Sequence, residues 1–460
     1  MIRNSEQSLK NWYNKQNRKP LIIRGARQVG KSYLVRQFVK DMGIPLFEIN
    51  LEKHSTLDSV FATLDMKKIL TECEYVCSTS FSSGKNGGVL FLDEIQAAPN
   101  AIAALRYFFE EKPDLPVIAA GSLLEFALSR HSFSMPVGRV EFHYLGPMTF
   151  SEFLVGLGEE QLCKYINGYT VESTPSDAAH DRLLMRLREY LLVGGMPEAV
   201  REFVATGSMN SVSPVHESII ETYRSDFSKY AALDDLVLLR RVFDFVPSAI
   251  GEKFKYVNVD PDSRAQKVKN AFELLTLAGL VAPIRHSSAS GIPIAVSADS
   301  NVFKPLFLDI GLMNAVSGIR ALPLSIFQSS RFINEGKMAE QFVGQQLLYI
   351  NSTMRPELFY WLREGKKNSA EVDYLIQHGV HIIPVEVKSG KSGTLKSLHR
   401  FMADKKGLLA VRFDQNQPSL NEVNIHVADS AGVKTITFKM LSLPLYFAEQ
   451  CGKLIQEILP

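Results

Sequence analysis

The sequence predicts an α/β protein: a parallel sheet covered by helices on both faces, then a small helical region, a winged-helix-like region and a second, smaller α/β domain. Three observations carry that prediction. Short apolar runs bounded by glycine or proline (LIIRG, PLFEINLE, VLFLDE, PVIAAGS, RVEFHYLG) alternate with helical periodicity through the first 148 residues. LIIRG and VLFLDE in particular are near-continuous apolar runs, as strands buried on both faces are. A length of 460 residues also exceeds what one hydrophobic core usually supports, so several domains are expected.

The first twenty residues read as a polar helix, and Pro20 introduces strand LIIRG. A helix from about Lys31, strand PLFEINLE, helical periodicity through TLDSVFATLDMKKILTEC, and strand VLFLDE follow in turn. PVIAAGS and RVEFHYLG complete the set and close a first domain over residues 1–148. Residues 149–206 turn helical, with FSEFL, a Ser/Asp/Ala-rich loop near Glu172 to Ala179, and RLLMRLREYLLVGGMPEAV, which reads as a lid. In residues 207–330 two helical stretches lead into VAPIRHS and FKPLFLDIGL, and helices followed by a two-stranded hairpin are the order of a winged helix. Residues 331–460 begin with helix GKMAEQFVGQQLLYI, pass through strands ELFYWLRE, AEVDYLIQ and IIPVEVKSG, and end on helix TLKSLHRFMAD and strand GLLAVRF.

Composition bounds the function classes. Hydrophobic residues at 46% and charged residues at 22% are ordinary for a soluble chain, and a net charge of +2 neither demands nor excludes nucleic acid. The N-terminus lacks a signal-like apolar stretch, and no run approaches the roughly 20 apolar residues of a membrane span, so a cytoplasmic protein without a membrane partner is expected. The four cysteines are too scattered for a disulfide framework, and Cys73 and Cys77, at helical spacing, have no neighbouring ligand to complete a zinc site; all read as reduced thiols.

GARQVGKS fits G-x-x-x-x-G-K-[ST] between a strand and a helix. From Gly25 through Ala26, Arg27, Gln28, Val29, Gly30, Lys31 and Ser32 to Tyr33, backbone N–H groups and a helix N-terminus would face the phosphates of ATP. Lys31 would reach the β and γ phosphates and Ser32 would ligate Mg²⁺. A second GKS, at Gly390 to Ser392, lacks the upstream glycine and reads as a turn. VLFLDE supplies Asp93 for the Mg²⁺ shell and Glu94 to polarise the attacking water. The extra strand PLFEINLE between P-loop and acid pair suggests that another strand is inserted between theirs.

With these residues the chain resembles AAA-type ATPases of a bacterial and archaeal group whose P-loop reads RG-x-R-x-x-GK[ST] and whose lid carries GG-x-P. Arg24, Gly25, Arg27, Gly30, Lys31 and Ser32 match the first motif, and Gly194, Gly195 and Pro197 the second. The resemblance implies that Pro197 contacts adenine and that Ser122 senses the γ phosphate. Arg139, with Arg130 the weaker candidate, would be a trans-acting arginine. Many such proteins form rings for that reason, so a homo-oligomer is one expectation, and the sequence leaves its size open.

The resemblance extends to the C-terminal region, which in that family ends in a domain similar to PD-(D/E)xK nucleases, with a restriction-endonuclease-like fold. Such a site needs carboxylates converging on Mg²⁺ and a lysine near the attacking water. Asp373 or Glu371 on AEVD, Glu386 and Lys388 on VEVKSG, and Glu340 on the preceding helix supply those groups. Residues two apart on a strand share a face, so Glu386 and Lys388 point together, and the turn around His378 and Gly379 brings Asp373 beside them. Basic residues nearby (Lys388, Lys391, Lys396, His399, Arg400, Lys405, Lys406), with Lys267, Lys269 and Arg285 upstream, would suit DNA phosphates. The expected function is therefore an Mg²⁺-dependent ATPase whose nucleotide state controls a DNA-binding or DNA-cleaving domain. The alternative is a nucleotide-dependent switch that binds a partner protein and cuts nothing.

Overall fold

The computed structural model describes residues 2–81, 87–122, 124–126, 136, 138–229, 231, 233–319, 335–364, 369–390, 394–429 and 432–459. Strands β1 (Leu21–Arg24), β2 (Leu46–Asn50), β3 (Val89–Asp93), β4 (Val117–Ala120) and β5 (Glu141–Tyr144) form an all-parallel sheet in the order β2-β3-β4-β1-β5. Alternate residues of one strand feed two different cores, as a pleat with period two requires. Leu21, Ile23, Val89, Phe91, Ile118 and Ala120 pack on the side of the Lys31–Met42 helix, with Leu34, Val35 and Phe38. Ile22, Leu90, Leu92, Val117 and Ala119 pack on the other side, with Ile69 of the Met66–Cys77 helix and Ile102 and Leu105 of the Pro99–Glu111 helix. A strand does lie between β1 and β3, but it is β4; β2, which carries PLFEINLE, is the outer neighbour of β3. Order along the chain identified a strand but not its place in the sheet.

The region expected to form a lid consists of helices Phe150–Gly156, Glu160–Gly168, Asp177–Val193 and Pro197–Thr206. Thr149 starts the first with a reciprocal cap, its hydroxyl accepting from the Glu152 N–H while the Glu152 carboxylate accepts from its own. Helices Met209–Asp226, Leu233–Phe245, Tyr256–Val259 and Ala265–Leu277 follow, and then β6 (Val281–Ser287) pairs antiparallel with β7 (Ala298–Phe307).

The helix-then-hairpin order expected of a winged helix is present, but the hairpin does not stand alone. With β8 (Phe359–Arg363), β9 (Ala370–His378), β10 (His381–Val387), β11 (Leu409–Asp414), β12 (Ser419–Asp429) and β13 (Gly432–Pro444) it forms one eight-stranded sheet, β12-β13-β11-β10-β9-β8-β6-β7. Arg285 and His286 of β6 pair in parallel with Phe359 and Tyr360 of β8, so the sheet crosses the boundary expected near residue 330. The long β12–β13 hairpin was not anticipated, although VNIHV and VKTITF alternate as strands do.

The Glu335–Leu348 helix precedes the antiparallel run β8-β9-β10, and the Lys396–Lys405 helix then leads to β11, parallel to β10. The chain ends by returning to the lid. Glu449 accepts from the Ser151 N–H (2.8 Å), Tyr446 Oη bonds His180 Nδ1 (2.8 Å), Lys453 donates to the Asn167 and Tyr169 carbonyls (2.9 Å each), and Glu457 accepts from the Val171 N–H (2.9 Å). All four cysteines are free, three of them buried. Among the described residues no helix is long and apolar enough to cross a membrane.

Candidate functional site

The C-terminal ends of β1, β3 and β4 bring the predicted nucleotide residues together. Gly25 follows β1 with φ +148°, and a Cβ there would lie 2.2 Å from the Leu145 carbonyl oxygen, so only glycine lets the loop leave the strand. Gln28 and Gly30 also take positive φ (64° and 93°), and the Lys31–Met42 helix begins directly after them. This places its unpaired N–H groups at the loop.

Ser32 Oγ donates to Asp93 Oδ2 at 2.8 Å, across the sheet from helix to strand end. Burial pushes the Asp93 carboxyl above the ordinary range, with the Ser32 bond opposing it. Two oxygen donors in contact suit a hard cation completed by phosphate oxygens, so Ser32 and Asp93 fit Mg²⁺. Lys31 is buried and donates to the Gly25 and Ala26 carbonyls at 2.9 and 2.8 Å, and burial lowers its pKa to about 8. Glu94 stands at φ +52°, a strained position for a residue with a side chain, which turns it off the end of β3. Its Oε2 accepts from Gln96 Nε2 at 2.6 Å and from Ser122 Oγ at 3.5 Å, so the expected base and sensor are neighbours. Gln96 was not foreseen; DEIQ offered no signal beyond its nearness to Glu94.

Tyr33 lies exposed on the first helical turn. Pro197 opens the last lid helix, where a proline costs no hydrogen bond, and its Cγ lies 3.5 Å from where a Cβ on Gly30 would sit. Arg139 is on the surface and pairs with Glu110 of the Pro99–Glu111 helix at 2.8 Å. Arg130 and Lys391 lie outside the described residues.

Four residues that sequence reasoning missed, Arg3, Asp226, Tyr223 and Asp309, hold this site in place. Arg3, 6% exposed, donates to the Val29 carbonyl (2.7 Å), the Gly146 carbonyl (2.9 Å) and Glu152 (3.0 Å), tying P-loop, β5 exit and lid together. Asp226, at the end of the Met209–Asp226 helix, binds Arg27 at 2.5 Å, and Tyr223 one turn earlier donates to the Arg27 carbonyl at 2.8 Å. Asp309, fully buried after β7, accepts from the Gly195 N–H at 2.6 Å and from Gln345 at 3.2 Å. A Cβ on Gly195 would meet the Met148 carbonyl at 2.1 Å, so the lid's GG pair reflects close packing against Met148 and Asp309.

The C-terminal candidates also meet, though not around an open space. Asp373 Oδ2 accepts from the Val387 N–H at 2.8 Å, and Lys388 Nζ lies 2.6 Å from Glu386. Glu340 joins them, but Lys304 of β7 has its ammonium 2.6 Å from Glu340, 2.8 Å from Glu371 and 3.7 Å from Asp373. Among the described residues, no three His, Cys, Asp or Glu side chains are grouped so that they could hold a metal ion. The metal expected at Asp373, Glu386 and Glu340 therefore does not fit this arrangement: a buried cation from the chain itself stands among the carboxylates. Of the predicted phosphate-binding residues, Arg285 faces Glu357 (3.5 Å), Lys269 faces Asn301 (3.3 Å) and Arg400 pairs with Asp404 (3.1 Å).

Residues 17–154 match the family model described as an AAA domain. Residues 184–322 and 335–428 match two domains of unknown function, DUF8612 and DUF4143. Among solved structures, the chain is similar to the Walker-type ATPase PABY2304 of Pyrococcus abyssi, at 15% identity over 69% of this chain and 96% of that one, with a TM-score of 0.43. It is also similar to the Aeropyrum pernix ORC2 protein, solved as ADPNP-ADP complexes, at 11% identity over 72% of this chain and 96% of that one, TM-score 0.34. A third is the Thermotoga maritima RuvB Holliday junction branch migration motor, at 14% identity over 61% and 88%, TM-score 0.28. No curated protein matches the chain. The stretch that matches the AAA domain, residues 17–154, is the one that places the Ser32–Asp93 pair at the head of a parallel sheet.

Proposed function

We propose that the chain binds ATP with Mg²⁺ at Gly25 to Ser32, hydrolyses it through Glu94, and passes its nucleotide state to the C-terminal sheet. The observation that carries this reading is the Ser32–Asp93 hydrogen bond with Glu94 and Ser122 adjoining it. Ser32 and Asp93 would hold Mg²⁺, which neutralises charge on the phosphates when bound. Lys31 exchanges its two loop carbonyls for phosphate oxygens, and Glu94, oriented by Gln96, polarises the attacking water. Two routes support coupling to the rest of the chain. Arg27 and Tyr223 join the P-loop to the Met209–Asp226 helix, and Glu449, Lys453 and Glu457 join the lid to the C-terminus.

For the C-terminal region we favour the interaction switch, a nuclease-like fold that recognises a partner without cutting. Lys304 among the carboxylates is the observation in its favour. The second reading, control of DNA cleavage, draws on Glu386 near the end of β10 and Lys388 just beyond it, paired with each other near Asp373. A paired assay of ATP hydrolysis and DNA cleavage on wild type, Glu94→Gln and Lys388→Ala decides both. The expected result is ATP binding without turnover in Glu94→Gln, a loss of about 10²–10⁴-fold, and no cutting by any of the three in Mg²⁺ or Mn²⁺. Unchanged turnover in Glu94→Gln would sink the ATPase assignment. Metal-dependent cutting that vanishes in Lys388→Ala would restore the nuclease.

A further inference from the structure

Lys304 reaches its carboxylates from β7, on a segment of the chain where nothing in the sequence marks a functional residue. It is completely buried, and an isolated lysine in such surroundings would give up its proton. Burial works against its charge, yet Glu340, Asp373 and Glu371 hold its pKa well above the ordinary value. The Tyr360 ring, with its centroid 5.2 Å from Nζ, adds a further contact favouring a cation.

The groups around it come from three elements. Glu340 projects from the Glu335–Leu348 helix, Glu371 and Asp373 from alternate positions of β9, and Glu386 from β10. Glu386 is only 5% exposed, and among the described residues its Oε2 has no hydrogen-bond partner, although Lys388 binds Oε1 at 2.6 Å. Burial raises Glu340 and Glu386 to about 7 each, as expected where carboxylates outnumber ammonium groups. Carboxylate oxygens are the donors a hard divalent cation takes, but with Lys304 among them no three of these side chains, among the described residues, are grouped to hold one. Here an ammonium is held within that set.

We propose that Lys304 is the resident cation of this cluster, and that removing its ammonium turns the cluster into a binding site for Mn²⁺ or Mg²⁺. This rests on reading the C-terminal region as a domain that does not cut, and it is independent of the ATPase. Lys304→Ala removes the only ammonium in contact with Glu340, Glu371 and Asp373 among the described residues and leaves the space of its side chain between them. A divalent ion offers the compensation that the lost charge supplied.

The test is Mn²⁺ binding to the full chain without nucleotide, measured by electron paramagnetic resonance and calorimetry. Lys304→Ala is expected to bind one Mn²⁺ per chain that wild type does not bind, and the double variant Lys304→Ala/Glu386→Gln to lose it. If Lys304→Ala unfolds in chelator, Mn²⁺ is expected to restore its cooperative thermal transition. A folded Lys304→Ala chain that gains no Mn²⁺, or an unfolded one that Mn²⁺ does not rescue, overturns the proposal. So does wild type that already binds one Mn²⁺ which Glu386→Gln removes. DNA cleavage by wild type would instead defeat the reading of a domain that does not cut, an outcome separate from these.

Discussion

Arg27 of the P-loop and Asp226 of the next region meet at 2.5 Å, and Lys229 braces the same carboxylate at 2.8 Å. The nucleotide loop is thus held by a helix outside its own sheet. Asp226 is buried while Arg27 is about a quarter exposed, so solvent screens the pair in part. A double-mutant cycle over Arg27→Ala and Asp226→Ala should return a coupling of about 1–2 kcal/mol in unfolding free energy. Additive losses would mean that the contact is incidental.

Lys31 predicts a pH dependence of ATP binding. Its pKa in the free site is about 8, and only the ammonium form pairs with phosphate. Above that value each unit of pH removes roughly tenfold of the competent species, so affinity should be flat below pH 7 and about tenfold weaker at pH 9 than at its plateau. Lys31→Arg, which keeps its charge, should lose that slope whatever its absolute affinity. A fluorescent ATP analogue titrated from pH 6.5 to 9.5 reads both, and equal affinity at the two ends for wild type would contradict the assignment.

Arg3 should matter out of proportion to its distance from the phosphates. Arg3→Ala leaves Glu152, 3% exposed, without its cation and frees the Val29 carbonyl, at a cost of about 3–5 kcal/mol. Arg3→Lys keeps the charge but cannot fork across three acceptors, so it should recover less than half of that loss. Denaturant unfolding compares the two; equal stability of Arg3→Lys and wild type would show that charge alone suffices.

Asp309 makes a sharper contrast between two replacements. Asp309→Ala strands the Gly195 and Leu312 N–H groups in the interior, at about 1–3 kcal/mol each. Asp309→Asn retains one acceptor oxygen and should lose roughly half as much. Because Gly195 lies two residues before Pro197, the alanine variant should also weaken ATP binding, and unchanged affinity would uncouple the lid anchor from the nucleotide.

The nucleotide site was legible because its chemistry is local in sequence: Gly25 to Ser32 are contiguous, and Asp93 and Glu94 end an unmistakably apolar strand. Residues that hold it from a distance were not. Arg3 reads as a charge near a polar N-terminus, and Asp226 reads as one acid on an amphipathic helix; only packing shows that each is buried. Lys304 was invisible for the same reason, 67 residues before Glu371, in a stretch whose alternation suggested a free hairpin. Strand identity came from composition, but the neighbour of a strand depends on which apolar faces must be covered, and that information is spread over the whole chain.

The β6–β8 pairing has a practical corollary for anyone dividing this protein. Cutting before residue 331 looks like a domain boundary, yet it would strip the hairpin from β8 and leave Phe359 to Arg363 as a bare, largely apolar edge open to other chains. The same cut discards Lys304 and leaves Glu340, Glu371 and Asp373 facing one another without it. A fragment of residues 331–460 should therefore aggregate or stay unfolded, whereas one starting at Val281 keeps both the strand and the counter-charge.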